Sequence, residues 1–128
     1  MENKCKFTGI VVVYNEKKYL RSSLQSLQFC DEIIVVDLGS TDGSVDIAVE
    51  EGAEVVNHEW VPVPGRARKY GAKNAKNDWI IFLDPDEVFP SKIAPSLCRT
   101  IRENNNVGRI YVPWLNYFKG DPLMGTVW

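Results

Sequence analysis

The sequence has few residues suited to soft-metal or histidine-based chemistry. It contains one histidine, His58, and three widely spaced cysteines, Cys5, Cys30 and Cys98, with no CxxC pair. This excludes the ligand spacing of a zinc site, and a lone histidine in a loop gives little support to a Ser-His-Asp or Cys-His catalytic set. An odd number of scattered cysteines favours reduced thiols and a cytoplasmic compartment.

Phosphate-binding glycine loops and long apolar runs are also missing. Neither GxGxxG nor GxxxxGK[ST] occurs, which excludes the dinucleotide fingerprint and the P-loop. No apolar run approaches the roughly 18 residues needed to cross a bilayer, and the start, MENKCKFTGIVVVYNE, is too short in apolar residues for a signal-peptide core. We therefore expect a cytoplasmic protein without a transmembrane segment, for which peripheral contact at the inner face of the membrane stays open.

An excess of positive charge is absent as well. Lys and Arg total 15 and Asp and Glu total 17, a formal net charge of −2, which argues against a nucleic-acid partner. The charges are segregated, because residues 31–54 contain no base and residues 65–76 contain five bases and no acid. That split indicates either a charged partner or two oppositely charged solvated faces, and charge alone does not choose between them.

The chain of 128 residues suits a single domain, residues 1–128, built from alternating strands and helices. This order predicts an α/β sandwich, Rossmann-like, with a mainly parallel central sheet and helices on both faces. The predicted strands are Phe7–Tyr14, Glu32–Asp37, Ala53–Val56, Trp79–Leu83 and Arg109–Trp114. The predicted helices are Tyr19–Gln28, a segment from about Ser44 to Gly52, Arg66–Ala75, and one marked by Ile93, Leu97 and Ile101.

Three of the predicted strands end in polar residues. Tyr14 and Asn15 follow the first strand, Asp37 closes the second, and Asp84-Pro85-Asp86 follows the fourth. In a parallel sheet the carboxyl ends of the strands meet at one edge, where ligands bind. We therefore expect these residues to gather at one site.

The acid pair Asp84 and Asp86 is the strongest candidate for metal chemistry. Positions i and i+2 of an extended segment face the same side, roughly 7 Å apart. Two hard carboxylates suit Mg²⁺ or Mn²⁺, completed by substrate phosphate oxygens and water. The alternative is a solvated acidic turn, and in either case the repulsion predicts a positive charge nearby.

The segment from Asp37 to Ser44 is a second candidate. Asp37 can accept a hydrogen bond from a base or a ribose, and Gly39 and Gly43 allow the backbone to approach a ligand. The alternative is a simple strand-turn-helix connection in which Asp42 or Ser44 caps the next helix.

The basic segment GRARKYG is a third candidate. On a helix, four bases of this segment and of the residues just after it form one stripe: Arg66, Lys69, Lys73 and Lys76. The alternative to a binding role for this stripe is a solvated face. Arg68 lies off this stripe and can turn towards the strand ends, where it would favour an anionic or planar polar ligand.

Four motifs occur in one order between Thr8 and Phe89: VVVYNE, IIVVDLGSTDGS, GRARKYG and DWIIFLDPDE. Together they resemble the N-terminal, nucleotide-sugar-binding half of family 2 glycosyltransferases with the GT-A fold. The pattern at Asn57–Trp60 and the ending PWLNYFKGDPLMG are similar to the bacterial branch that builds lipopolysaccharide core and other envelope sugars.

The resemblance implies roles for individual residues. Those expected to hold the nucleotide base are Tyr14, Asn15, Glu16 and Asp37, with Arg68 near the base. Asp84 is expected on the ribose side and within the metal site, Asp86 on the Mg²⁺ or Mn²⁺ ion, and Glu87 acting through water.

The implied activity is transfer of a sugar, with inversion, from a nucleotide-diphosphate sugar to an acceptor hydroxyl. A UDP-sugar is the expected donor, and a glycan or lipid-linked molecule the expected acceptor. Few residues follow Glu87 and none matches an acceptor motif, so no general base is named and the C-terminal acceptor half is expected to be absent. Such a truncated domain would expose apolar side chains and self-associate through Trp114, Tyr117, Phe118 and Trp128.

Two other functions remain open at this stage. A chain without an acceptor half can be a non-catalytic nucleotide-sugar-binding fragment. The stretch IIFLDPDEV also fits a haloacid-dehalogenase phosphatase, in which Asp84 would be the nucleophile and Asp86 the general acid-base, although that motif normally opens a domain.

Overall fold

The computed structural model describes residues 5–104 and 106–112, and the backbone of residues 117–118 and 121–122. The strands are β1 (Phe7–Val13), β2 (Glu32–Asp37), β3 (Glu54–Asn57), β4 (Trp79–Phe82), β5 (Tyr117–Phe118) and β6 (Asp121–Pro122). The helices are α1 (Lys17–Ser26), α2 (Ser44–Glu50), α3 (Gly65–Lys73) and α4 (Ile93–Glu103). The first four predicted strands and the first three predicted helices are confirmed with ends shifted by at most two residues, and the fourth predicted helix, marked by Ile93, Leu97 and Ile101, is α4.

The main sheet has four parallel strands in the order β3-β2-β1-β4. The predicted mainly parallel Rossmann-like sheet is thus confirmed. Strands β1 and β2 are central, and their β-branched runs are buried on both faces, as continuous apolar strands of a parallel sheet usually are. The register pairs Val13 with Asp37, so these two strands end side by side.

Helices cover both faces of this sheet. On one face the buried leucines of α1, Leu20 and Leu24, pack with alternate β1 residues such as Val11. On the other face Ala67 of α3 packs against residues such as Ile10 and Val36. Alternation along β1 and β2 therefore divides the core into two apolar layers, which fixes the sheet between the helices.

Gly71 allows α3 to lie close to the sheet. A Cβ atom at this position would come within 2.8 Å of Cγ2 of Ile10 and 2.9 Å of Cγ2 of Val36. The sequence predicts small residues along one side of this helix. At Gly71 the reason is steric, because a larger side chain would clash with the sheet.

The predicted strand Arg109–Trp114 is wrong in its described part. Residues 109–112 form no strand, and Tyr111 is 81% exposed. Residues 113 and 114 lie outside the described residues. The β-branched and aromatic composition of RIYV favours a strand, but composition creates one only where a neighbouring strand and a buried face are available.

The predicted self-association involves residues that fall outside what the structure describes. The side chains of Trp114, Tyr117, Phe118 and Trp128 are not among the described ones, and only a two-residue antiparallel pairing of β5 with β6 is seen in this region. Within the described part of the chain, none of the helices has the length and apolar character needed to span a bilayer.

Candidate functional site

The carboxyl ends of three adjacent strands bring the predicted site residues to one edge of the sheet. Tyr14, Asn15 and Glu16 follow β1, Asp37 ends β2, and Asp84 lies two residues beyond β4. Because β2, β1 and β4 are neighbours and parallel, the predicted convergence of these strand ends is confirmed. We call residues 14–16 the β1–α1 loop and residues 38–43 the β2–α2 loop.

The DxD segment is a tight turn and not an extended segment. The backbone N–H of Glu87 donates to the carbonyl of Asp84 (2.9 Å), and the Glu87 carboxylate accepts from the N–H of Asp84 (2.9 Å). The expectation that Asp84 and Asp86 share one side of an extended strand is therefore wrong. Pro85 occupies the second position of a four-residue turn, where proline is favoured because its φ is already fixed.

The positive charge expected beside the acid cluster is Arg68. Its Nη2 atom donates to Oδ1 of Asp84 at 2.6 Å, and its guanidinium carbon lies 5.9 Å from the centre of the Phe82 ring. The prediction that Arg68 turns towards the strand ends is confirmed. Both side chains of the ion pair are partly exposed, 36% for Arg68 and 44% for Asp84, so the pair faces solvent on one side.

Helix α1 also contacts Asp84. The Ser23 hydroxyl, fully buried, donates to the carbonyl oxygen of Asp84 at 3.2 Å. Together with the Glu87 side chain, this contact fixes the backbone at the start of the turn. Asp84 thus has a set position, and one of its carboxylate oxygens is already engaged by Arg68.

Asp86 differs from Asp84 in having no such partner. It is exposed, and its carboxylate accepts no hydrogen bond from any residue that the structure describes. Its charge is nevertheless felt at neighbouring acids. Burial and then the charges of Asp86, Asp42 and Asp84 raise the pKa of Glu16.

The pKa of Glu87 is affected by the same acidic side chains. Burial raises the pKa of Glu87, and the charges of Asp84 and Asp86 raise it further, whereas the hydrogen bond from the Asp84 backbone and the charge of Arg68 lower it. Glu16 and Glu87 belong to different loops, so both loops contribute to one region of negative potential at the strand ends.

A divalent cation at these strand ends would have few ligands from the protein. The described residues contain no group of three or more His, Cys, Asp or Glu side chains placed to hold a metal ion. Mg²⁺ and similar hard cations, however, need only one or two protein carboxylates when a phosphate and water supply the other ligands. Asp84 and Asp86 supply that number of carboxylates, and their role as metal ligands stays a prediction.

Asp37 is turned into the β2–α2 loop. It is only 5% exposed, and its carboxylate accepts hydrogen bonds from the N–H groups of Gly39 (3.1 Å) and Ser40 (3.2 Å). Its carbonyl accepts from the N–H of His58 at 2.9 Å. In this structure Asp37 therefore orders the strand-turn-helix connection, and its expected contact with a nucleotide base stays a prediction.

The prediction that Ser44 caps the helix after this loop is wrong. Gly43, with φ of 94°, precedes the helix, and Ser44 is its first residue. The Asp42 carboxylate accepts from both the N–H (3.0 Å) and the hydroxyl (2.5 Å) of Ser44, but the N-cap residue is Gly43, so neither predicted cap is found and Asp42 contacts the first turn from one position before the cap.

Sequence reasoning missed that the β2–α2 loop binds the β1–α1 loop. The hydroxyl of Ser40 accepts from the N–H of Asn15 (2.9 Å), and the side-chain oxygen of Asn15 accepts from the N–H of Thr41 (2.7 Å). Asn15 has φ of 51°, a left-handed conformation uncommon outside glycine. The polar run GSTDGS signals a turn, but nothing in its spacing identifies a partner some 25 residues earlier.

Two aromatic residues near the site were also missed. Trp60 is 57% exposed and packs edge-on against Tyr14, with ring centres 6.4 Å apart, and the centre of the Tyr70 ring lies 5.2 Å from that of the His58 ring.

The basic stripe is exposed and forms no ion pair within the described residues, which agrees with the interpretation of a solvated face. The stripe consists of Arg66, Lys69, Lys73 and Lys76.

Comparison with known proteins gives the family. Residues 8–122 match the family described as Glycosyl transferase family 2. The chain is 35% identical over 107 residues to a protein of Bacillus subtilis, "Putative glycosyltransferase EpsH", covering 77% of this chain and 31% of that one.

Solved structures agree with this match. The crystal structure of S. aureus TarS 1-349 superposes with a TM-score of 0.72 at 27% identity, covering 85% of this chain and 38% of TarS. Glucosyl-3-phosphoglycerate synthase from Mycobacterium tuberculosis, crystallised with Mn²⁺, UDP and glucosyl-3-phosphoglycerate, gives a TM-score of 0.56 at 26% identity, covering 63% and 33% of the two chains.

The chain spans well under half the length of these relatives: 28% of an uncharacterized glycosyltransferase of Rickettsia bellii, 31% of EpsH and 37% of an uncharacterized glycosyltransferase of Haemophilus influenzae. Its sheet is that of the GT-A glycosyltransferases to which it is structurally similar. A family match over most of the chain, on a parallel sheet whose strand ends gather the expected residues, leads to one conclusion: the chain belongs to glycosyl transferase family 2.

Proposed function

We propose that this chain, residues 1–128, is the nucleotide-sugar-binding domain of a metal-dependent glycosyltransferase. The donor is a nucleotide-diphosphate sugar, with a UDP-sugar as the first candidate, and the acceptor is a hydroxyl group. The observation that most supports this is the pairing of Arg68 with Asp84 at 2.6 Å on the turn that also carries Asp86, whose exposed carboxylate accepts no hydrogen bond within the described part of the chain. An exposed carboxylate on the same turn as an arginine-paired aspartate suits a ligand that bears phosphates and binds together with a metal ion.

The residues at the strand ends have complementary tasks in this proposal. Asp86, with Asp84, holds Mg²⁺ or Mn²⁺, and the bound ion would offset the charge that grows on the departing diphosphate. Arg68 fixes the Asp84 carboxylate and adds positive charge to a site that is otherwise strongly acidic. Glu87 orders the turn through the N–H of Asp84.

The base of the nucleotide is proposed to lie over the β1–α1 loop. Tyr14 offers a half-exposed ring there, braced edge-on by Trp60, and Asn15 and Glu16 follow it at the end of β1. Asp37 contributes by keeping the neighbouring loop in place. Aromatic rings provide apolar area with little conformational entropy to lose on binding, which suits them to a flat base.

The proposed reaction is substitution at the anomeric carbon, expected to proceed with inversion. An acceptor oxygen forms the new bond to that carbon while the bond to the diphosphate oxygen breaks, through an oxocarbenium-like state. A general base must take the proton of the acceptor hydroxyl, and no described residue is assigned that role. From the resemblance of the segment at 57–60, the proposed acceptor is a glycan or lipid-linked molecule of the cell envelope, such as lipopolysaccharide core, met at the inner face of the membrane.

Calorimetric titration with UDP, in the presence and absence of Mn²⁺, tests this proposal. We expect binding of UDP that is strengthened by Mn²⁺, and loss of the Mn²⁺ effect in Asp86→Asn. The matched control is Asp78→Asn, an exposed aspartate just before β4, at the opposite end of the strand. Equal Mn²⁺ dependence in both variants would contradict the assignment of Asp86.

A donor labelled in its sugar separates catalysis from binding alone. A non-catalytic nucleotide-sugar-binding role is the second candidate, and binding without transfer or hydrolysis would decide for it. A phosphatase centred on Asp84 has lost its support, because the DxD follows the fourth strand of the sheet and Asp84 is paired with Arg68.

A further inference from the structure

Helix α1 begins without a cap of its own. Glu16 precedes it, and its side chain makes no capping hydrogen bond. The first N–H groups of a helix have no partners within the helix and need acceptors from elsewhere. Here the N–H of Glu16 donates to the Ser44 hydroxyl (3.0 Å), and the N–H of Lys17 donates to the Asp42 carboxylate (3.1 Å).

Both acceptors belong to the start of a different helix. Ser44 is 1% exposed, and its hydroxyl, while accepting from Glu16, donates to Asp42 at 2.5 Å. Asp42 therefore uses one carboxylate oxygen for Ser44 and the other for Lys17. The two residues form a single unit that joins the first turn of α2 to the first turn of α1, and we call it the Asp42–Ser44 pair.

The Asp42 carboxylate is well suited to remain ionised in this position. The hydroxyl of Ser44 and the N–H groups of Lys17 and Ser44 lower the pKa of Asp42 against a smaller opposing effect of burial. A charged acceptor makes stronger hydrogen bonds than a neutral one. Capping of α2 alone would need only the contact with the Ser44 N–H, whereas the bonds to Glu16 and Lys17 also tie the start of α1 to the same two residues.

We propose that the Asp42–Ser44 pair is a positioning element of the donor site, which holds the β1–α1 loop so that Tyr14 lies against Trp60 and Glu16 lies near the acids that follow β4. This inference rests on the proposed function, since it assigns a second loop to the same site. Asn15 stands between the two positioned residues in a left-handed conformation, held by Ser40 and Thr41. Loss of the pair would leave these two bonds at Asn15 in place but would release the N–H groups of Glu16 and Lys17, so the end of the loop that carries Glu16 would be less well fixed.

The test combines a ligand-free and a ligand-bound measurement on Ser44→Ala. Amide hydrogen exchange followed by NMR should show faster exchange at Glu16 and Lys17, because their acceptors are lost or released. Calorimetry with UDP and Mn²⁺ should show affinity reduced by about threefold to tenfold, the equivalent of one net hydrogen bond. Ser44→Thr, which keeps the hydroxyl, should restore both values towards those of the unmodified chain.

Ser26→Ala is the matched control. Ser26 is the last residue of α1, and its hydroxyl donates to a carbonyl of the same helix, that of Ser23, at 2.7 Å. Its loss should leave UDP affinity and exchange at Glu16 unchanged. If Ser44→Ala does not fold, Asp42→Asn serves instead, since it keeps the shape and weakens the bond to Lys17.

The outcomes separate this inference from the proposal beneath it. If the unmodified chain does not bind UDP with Mn²⁺, the proposed function fails, and the positioning role fails with it. If the unmodified chain binds UDP and Ser44→Ala binds it equally well, only the positioning role is overturned. Reduced affinity in Ser44→Ala that Ser44→Thr does not restore would also overturn it, because a general packing defect would then explain the loss.

Discussion

At the scale of single residues, the sequence located the acids but not their geometry. Three carboxylates within Asp84–Glu87 predicted a nearby cation, and position along α3 selected Arg68 over its neighbours. The turn conformation could not be predicted, because the sequence DPDE suits both an extended strand end and a tight turn. The hydrogen bond from the Glu87 N–H to the Asp84 carbonyl distinguishes the two, and it is seen only in the folded chain. Local composition cannot reveal a contact made through the folded backbone.

The ion pair of Arg68 should matter more for binding than for stability. In Arg68→Ala we expect the free energy of unfolding to fall by no more than about 1 kcal/mol, because both partners are partly exposed. Affinity for UDP with Mn²⁺ should fall by about tenfold or more, since a charged hydrogen-bond donor is removed from the site. Chemical denaturation and calorimetry measure the two effects.

Arg66→Ala is the control for this prediction, because Arg66 lies on the same helix but on the exposed stripe. It should leave both values unchanged. A loss of stability in Arg68→Ala that is larger than the loss of binding energy would show that Arg68 is structural.

Glu16 should make the folded state less stable as pH rises. Its pKa is raised by burial and by Asp86, Asp42 and Asp84, so the folded state holds the proton more tightly than the unfolded chain, whose value is near 4.5. The stabilisation is present below that value and is lost as pH rises through the folded pKa. Glu16→Gln, which carries no charge, should therefore be more stable than the unmodified chain at pH 7, and the difference should shrink below pH 4.5.

Thermal unfolding of both proteins between pH 4 and pH 7, without added metal, measures this. A gap that widens towards low pH would contradict the stated direction. Added Mn²⁺ should narrow the gap at pH 7 if the same acids hold the ion, because the cation offsets their repulsion.

At the scale of elements, periodicity was sufficient for the sheet and its helices. The runs GIVVVY and EIIVVD predict strands buried on both faces, and the leucine spacing of α1 predicts one apolar stripe; the structure confirms both. The predicted strand at 109–114 failed because β-propensity in RIYV needs a partner strand that the pattern cannot supply. Connections between loops, such as the Asp42–Ser44 pair, follow from strand order and so appear only in the folded chain.

Gly71 tests the packing of α3 on the sheet. In Gly71→Ala the added Cβ would approach Ile10 and Val36 to under 3 Å, so we expect destabilisation by about 1–3 kcal/mol from overpacking. The gain of about 1 kcal/mol that alanine brings to a helix interior offsets part of this cost, so the net destabilisation should be up to about 2 kcal/mol. Denaturant unfolding at pH 7 is the measurement.

Gly65→Ala is the matched control on the same helix. A Cβ at Gly65 meets no atom within 4 Å, so this variant should be neutral or slightly stabilised. Equal effects of the two substitutions would mean that α3 does not depend on close contact at Gly71.

At the scale of the whole molecule, the segregation of charge acquires a structural meaning. The acid-rich segment 31–54 supplies the β2–α2 loop, and the base-rich segment 65–76 supplies α3, from which Arg68 reaches the acids after β4. The sheet order β3-β2-β1-β4 brings these distant segments to one edge. The sequence could predict that edge from parallel topology, whereas the pairing of individual side chains across it required the structure.

The central claim is that Asp86 binds a divalent cation that in turn binds the diphosphate of a nucleotide. The most direct measurement is a crystal structure of the chain with UDP and Mn²⁺, with anomalous diffraction to locate the manganese. We expect a manganese peak bound by an Asp86 oxygen and by phosphate oxygens of UDP, with Arg68 still beside Asp84. A manganese ion bound elsewhere, or UDP bound with Asp86 pointing away from it, would contradict the metal-binding role of Asp86.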